Sequence, residues 1–143
     1  MDRELRREII IDNYQNPINK QTITDPEFIK VNTNSESCID NVDLYVKFDG
    51  DIISDLYFDG EACAISTSAT SIMIKMFIGK SIDEAKKVIE NYYNMIEEKE
   101  YDEEILQELN AYSDISMQPN RKKCAILPFN ALLKAIDIYK NKE

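Results

Sequence analysis

The residues of this chain best suited to chemistry are three cysteines and an aspartate two residues after the first of them. The thiols are Cys38, Cys63 and Cys124, and the carboxylate is Asp40. None of the cysteines belongs to a CxxC pair, the usual mark of a structural zinc finger, and an odd count does not suit a secreted disulfide framework. Three thiolates and one carboxylate still satisfy one four-coordinate metal ion if the fold brings them together. The chain has no histidine. That excludes Ser-His-Asp and Cys-His nucleophilic machinery and removes the usual general base near neutral pH. Taken singly, each cysteine also reads as a small buried hydrophobe, and Asp40 as a solvated turn or cap residue. The basic run Arg121-Lys122-Lys123 reads, alone, as a solvated surface.

The elements that must position these groups follow from periodicity. Residues 2–16 predict an amphipathic helix with Leu5, Ile9 and Tyr14 on one face, widened by Ile10 and Ile11 and ended by Asn16-Pro17. Residues 18–37 are polar and irregular, with a turn at Asp25-Pro26. Val42, Leu44, Val46 and Phe48 alternate along one strand, and Ile52, Ser54, Leu56 and Phe58 along a second, with Asp49-Gly50 as the hairpin signal between them. Asp59-Gly60 marks another turn, and Cys63-Ala64-Ile65 is placed to start a third short strand. The remainder is helical. Ala69, Ile72, Met73, Met76 and Phe77 form a core stripe, capped by Ser66, Thr67 or Ser68 and closed by Gly79. Ser81-Ile82-Asp83-Glu84 is a capping box for a helix carrying Ala85, Val88, Ile89, Tyr92 and Ile96. A shorter helix spans 101–112 with Asp102 as cap. The last helix holds Leu132, Ile136 and Tyr139 on one face and starts close to Cys124 or just after it, because Pro128 is tolerated only near a first turn.

This layout puts Cys38 and Asp40 in a loop before the first strand, Cys63 just before a helix, and Cys124 at or near the start of the last helix. Helix N-termini and neighbouring cations favour the thiolate, the form that attacks and that ligates. Thiols at three loop edges can converge on one end of the sheet, with Asp40 as an exchangeable oxygen ligand.

Composition narrows the classes. The chain has 143 residues, enough for one domain over 1–143 with a single core. Its net charge of -10 argues against nucleic acid or an anionic membrane as partner. A charged N-terminus and the lack of any long apolar run predict a cytoplasmic protein without a signal peptide or membrane span.

Four stretches, in order, resemble one known family. Asp12-Asn13-Tyr14-Gln15-Asn16-Pro17-Ile18-Asn19-Lys20 is similar to D-H-Y-x-N-P-x-N-x. Ser37-Cys38-Ile39-Asp40 resembles T-C-G-D. Phe58-Asp59-Gly60-Glu61-Ala62-Cys63-Ala64-Ile65-Ser66 resembles F-x-G-x-G-C-x-I-S, and Arg121-Lys122-Lys123-Cys124-Ala125-Ile126-Leu127 resembles R-x-K-C-A-x-L. These are motifs of the iron–sulfur cluster assembly proteins of the IscU/SufU/NifU N-terminal type, and the likeness runs from about residue 4 to 137. Lys123, where the IscU branch has histidine, and the extra segment 98–118 point to the SufU branch.

The resemblance implies an α+β fold, a small antiparallel three-stranded sheet with helices packed on one face. It implies a scaffold or zinc-dependent sulfur acceptor, with Zn2+ held by Cys38, Asp40, Cys63 and Cys124 and a transient iron–sulfur cluster on the three cysteines. It implies as partners a pyridoxal-phosphate cysteine desulfurase and downstream apo iron–sulfur proteins. Cys38 would be the sulfur acceptor, and Arg121 would sit at the rim. The alternative is an interaction module that binds the desulfurase through a structural zinc and accepts no sulfur. The sequence departs from the family at Asn13, Glu36, Ile39 and Ala62, which stand where histidine, proline and two glycines are usual. The ligand set itself is intact.

Overall fold

The computed structural model describes residues 1–33 and 41–142. Cys38, Ile39 and Asp40 therefore lie outside the described residues.

Helix α1 spans Arg3–Gln15. Asp2 caps it by accepting the Leu5 amide at 2.8 Å, and it ends before Pro17. Its buried face differs from the expected stripe. Leu5, Ile11 and Tyr14 are exposed, while Asn13 is fully buried with Ile9 and Ile10 partly so. The reason is a polar pair: Asn13 Nδ2 donates to the Ile9 carbonyl (2.9 Å), and Asn13 Oδ1 accepts from Ser71 on the helix beneath (2.9 Å). Hydrophobic periodicity cannot register a contact face centred on an amide.

Three antiparallel strands form the sheet in the order β1 (Ile29–Asn32), β2 (Asn41–Asp49), β3 (Ile52–Glu61). The third strand expected at Cys63 is instead β1, which lies in the stretch read as irregular. It is a four-residue edge strand whose alternation, Ile29 and Val31, is too short to stand out. Asp49 pairs with Ile52, so the hairpin loop is Gly50-Asp51, one residue later than the Asp49-Gly50 signal. A bulge follows. Lys47 pairs with Asp55 but Phe48 with Ile53, leaving Ser54 as the extra residue, its hydroxyl donating to the Lys47 carbonyl at 3.1 Å. The alternation therefore flips, and Ile53 is in the core while Ile52 is at the surface. Asp59-Gly60 is not a turn but part of β3. Gly60 has φ of 125°, and a Cβ there would lie 2.2 Å from the Asn41 carbonyl oxygen, so only glycine fits this pairing. Backbone bonds from Asn19 and Gln21 to Phe58 cover the outer edge of β3.

The other helices are α2 (Ala64–Phe77), α3 (Ile82–Ile96), the single-turn α4 (Glu103–Leu106) and α5 (Pro119–Asn141), with 3₁₀ turns at Gln107–Tyr112 and Ile115–Met117. Ser81 and Glu84 form the expected capping box, and Asp102 caps α4. Helix α5 begins five residues before Cys124, earlier than expected, and carries Pro128 in its interior. An interior proline costs about 3 kcal/mol in an isolated helix. Here neighbouring hydroxyls serve the carbonyls around it: Ser66 donates to the Cys124 carbonyl (2.9 Å) and Tyr92 to that of Ala125 (2.8 Å).

The core lies where α5 crosses the inner sheet face. Phe129, Leu132, Ala135 and Ile136 share one core with Leu44, Val46, Leu56 and Phe58, with α5 packed on β1 and β2, α2 on β3, and α3 against α5. The Phe129 ring sits 4.5 Å from that of Tyr92 and 6.1 Å from that of Phe77. Tyr139 stacks on Phe48 at 4.3 Å and donates to the Gly50 carbonyl, pinning the end of α5 to the hairpin. Among the described residues, no helix is long and apolar enough to cross a membrane.

Candidate metal and sulfur site

Cys63 occupies the N-cap of α2, a role the sequence reading gave to Ser66, Thr67 or Ser68. Its backbone is extended (φ -66°, ψ 168°), and its sulfur accepts the Ser66 amide at 3.5 Å. The thiol is half-buried, at the point where β3 delivers the chain into the helix. A cleft of about 450 Å³ is lined by Tyr14, Pro17, Lys20, Gly60, Ala62 and Thr67, residues that flank Cys63 in the chain among them, but Cys63 itself does not line it.

Cys124 is buried, 5% exposed, in the second turn of α5 rather than at its start. Ser66 joins the two cysteine residues. Its side-chain oxygen lies 3.7 Å from Cys63 Sγ and donates to the Cys124 carbonyl at 2.9 Å. Arg121 is exposed in the first turn of α5, three residues before Cys124 and on the same side of the helix.

Helix α2 fixes this junction with hydroxyls. Ser68 Oγ and Tyr112 OH are 2.5 Å apart, Thr70 donates to the Ser66 carbonyl (2.7 Å), and Ser71 donates to Asn13. Burial pushes the Tyr112 phenol well above its ordinary value, with the Ser68 bond opposing, so Tyr112 stays neutral and able to donate. Ser66, Tyr112 and Pro128 were not singled out from the sequence as site-building residues. The signal was the run Ser66-Thr67-Ser68-Ala69-Thr70-Ser71 leading into an apolar stripe. Hydroxyls that dense in a buried helix need partners on neighbouring elements.

Two of the four expected ligands, Cys63 and Cys124, thus stand on neighbouring helices joined through one serine. The other two, Cys38 and Asp40, lie outside the described residues, between β1 and β2. Among the described residues no group of three or more Cys, Asp or Glu side chains gathers for a metal. The donor set fits zinc chemically, since soft thiolates with one carboxylate are ordinary zinc ligands.

The chain matches, over residues 5–143, the family described as NifU-like N terminal domain. It is 39% identical over 133 residues to the zinc-dependent sulfurtransferase SufU of Bacillus subtilis, covering 92% of this chain and 89% of that protein. It is 34% identical over 100 residues to the iron-sulfur cluster assembly scaffold protein IscU of Thermotoga maritima, 70% of each chain. A crystal structure of a putative iron-sulfur cluster assembly scaffold protein for the SUF system from Fervidobacterium islandicum superposes with a TM-score of 0.81 at 37% identity, covering 87% of this chain and 91% of that one. A capping cysteine after a three-stranded meander, a second cysteine near the start of a long last helix, and these likenesses across most of the chain lead to one assignment: the protein belongs to the NifU-like N-terminal family, alongside the proteins named SufU and IscU.

Proposed function

We propose that this protein serves iron–sulfur cluster assembly as a zinc-dependent sulfur acceptor and scaffold, taking sulfur from a cysteine desulfurase in the cytoplasm and passing it on toward apo iron–sulfur proteins. The observation that carries the reading is the juncture of Cys63 and Cys124 through Ser66, in a chain that keeps all three family cysteines and Asp40. The likeness to a sulfurtransferase named as zinc-dependent supports the choice of ion.

In this reading Cys63, Cys124 and Asp40 hold the metal, and Cys38 is the exchangeable ligand and sulfur acceptor. Zinc, when bound, keeps sulfur anionic without redox chemistry of its own. The Cys38 thiolate attacks the outer sulfur of a persulfide on the desulfurase. A new S–S bond forms on Cys38, the donor's S–S bond breaks, and the donor leaves as a thiolate, so no external oxidant or reductant is consumed. Arg121, charged and exposed one turn from Cys124, pairs with the anionic sulfur at the rim.

The test is anaerobic incubation with a desulfurase and cysteine. Protein isolated with about one zinc per chain should gain a persulfide on Cys38, seen by mass spectrometry of alkylated peptides. Cys38→Ser should abolish that modification and the stimulation of the desulfurase while keeping the fold. Stimulation that survives Cys38→Ser would instead establish an interaction module with a structural zinc.

A further inference from the structure

Pro128 lies four residues after Cys124. A proline has no amide proton, so the helical bond that would normally close on the Cys124 carbonyl is withheld. The Ser66 hydroxyl, 1% exposed, donates to that carbonyl from the facing helix at 2.9 Å. The same residue gives its amide to Cys63 Sγ at 3.5 Å. Its neighbours behave differently. Ser68 and Thr70 donate back into their own helix, to Ile65 (3.1 Å) and Ser66 (2.7 Å), as helical hydroxyls commonly do. Ser66 reaches across to α5, to the carbonyl that the proline withholds from the ordinary helical ladder.

We propose that Pro128 and Ser66 work as a pair that sets the placement of Cys124 relative to Cys63, the proline presenting a backbone carbonyl and the serine clamping it beneath the cap. Ser66 is then a positioning residue for the two thiols, and the inference rests on the metal reading above. The pairing is specific in a testable way. Replacing Pro128 by alanine restores an amide that can take the Cys124 carbonyl, which makes the Ser66 hydroxyl dispensable for that carbonyl and relaxes its hold on α5.

The experiment compares wild type, Ser66→Ala, Pro128→Ala and the double variant in two measurements. In metal-free protein, Ser66→Ala removes the hydroxyl that donates to the Cys124 carbonyl and lowers the melting temperature by about 3–6 °C. The same change in the Pro128→Ala background costs less than about 2 °C. In cobalt-substituted protein, each single variant shifts the visible ligand-field bands, and a chelator strips zinc about tenfold faster than from wild type, the scale expected for a residue that orients a ligand. Equal melting losses in both backgrounds overturn the pairing. Cobalt spectra and zinc release unchanged in both single variants overturn the positioning role, even where the melting cycle shows coupling. If Ser66→Ala does not fold, Pro128→Ala, which deletes no polar group, carries the spectroscopic measurement alone. Wild-type protein that binds neither ion refutes the metal reading, and with it the role toward ligands; the melting cycle still decides whether the two residues are coupled.

Discussion

Helix α2 has two halves that are differently held, the first buried throughout and the second exposing Lys75. From Ser66 to Ser71 it is fastened by hydroxyls, to the Cys124 carbonyl, to Tyr112 and to Asn13. From Ile72 to Phe77 it is held by contact area, against Phe129 and the ring of Tyr92 behind it. Hydrogen bonds tolerate a few tenths of an ångström and a narrow range of angles, whereas an apolar contact tolerates repacking. The half nearest the cysteines is thus the half with the strictest geometry. Stability concentrated in one half and positional accuracy in the other is what a site needs if its ligands must neither drift nor bear the load of folding.

Breaking the apolar half has the largest expected effect. Phe129→Ala removes a ring with no exposed surface and should cost about 3–5 kcal/mol in urea unfolding. If the halves are independent, the cobalt spectrum of the folded fraction stays that of wild type; a shifted spectrum would merge them. Breaking the polar half at its far end comes next. Ser71→Ala leaves Asn13 Oδ1 without its serine donor and should cost about 1–3 kcal/mol, with α1 detaching first by hydrogen exchange.

Alkaline titration sharpens the contrast further. Burial raises the phenols of Tyr92 and Tyr112 far above their ordinary value, so the unfolded chain ionises first. Their contribution is intact below about pH 10 and is lost as pH rises above it, by about 1.4 kcal/mol per unit for each phenol. Tyr112→Phe should make the decline between about pH 10 and 11 shallower by one phenol's share. An identical slope in wild type and variant would mean that Tyr112 already ionises in the folded protein. The smallest effect belongs outside both halves. Ser81→Ala removes the α3 capping box and should cost about 1 kcal/mol with no change in metal binding.

What was legible in the sequence was whatever depended on local pattern. The Ser81 capping box, the Asp102 cap, the alternation from Val42 to Phe48 and the end of α1 at Asn16 all stand where periodicity and capping chemistry put them. What was not legible depended on distant partners. The start of α5 at Pro119 hides behind Pro128, because the hydroxyls that serve the carbonyls around that interior proline, from Ser66 and Tyr92, come from other helices. The bulge at Ser54 reverses which isoleucine is inside, and nothing in the two residues announces it. The edge strand Ile29–Asn32 is recognised by its pairing with β2, not by its own four residues. For the site, the local motifs placed Cys63 correctly before a helix and Cys124 near the beginning of one. That Cys63 would itself be the cap, and that a serine would join the two, required the third dimension.

The cap at Cys63 bears on how mutants at that position are interpreted. One sulfur atom both begins a fourteen-residue helix and stands among the expected ligands, so a substitution there confounds two losses. Alanine removes the ligand and the acceptor of the Ser66 amide together, and a phenotype from it could as well report a frayed helix as a missing bond to metal. Serine keeps an acceptor at the cap while giving up the soft donor. Cys63→Ser is therefore the informative control, and the difference between the two substitutions measures how much of this cysteine's retention is owed to architecture and how much to chemistry.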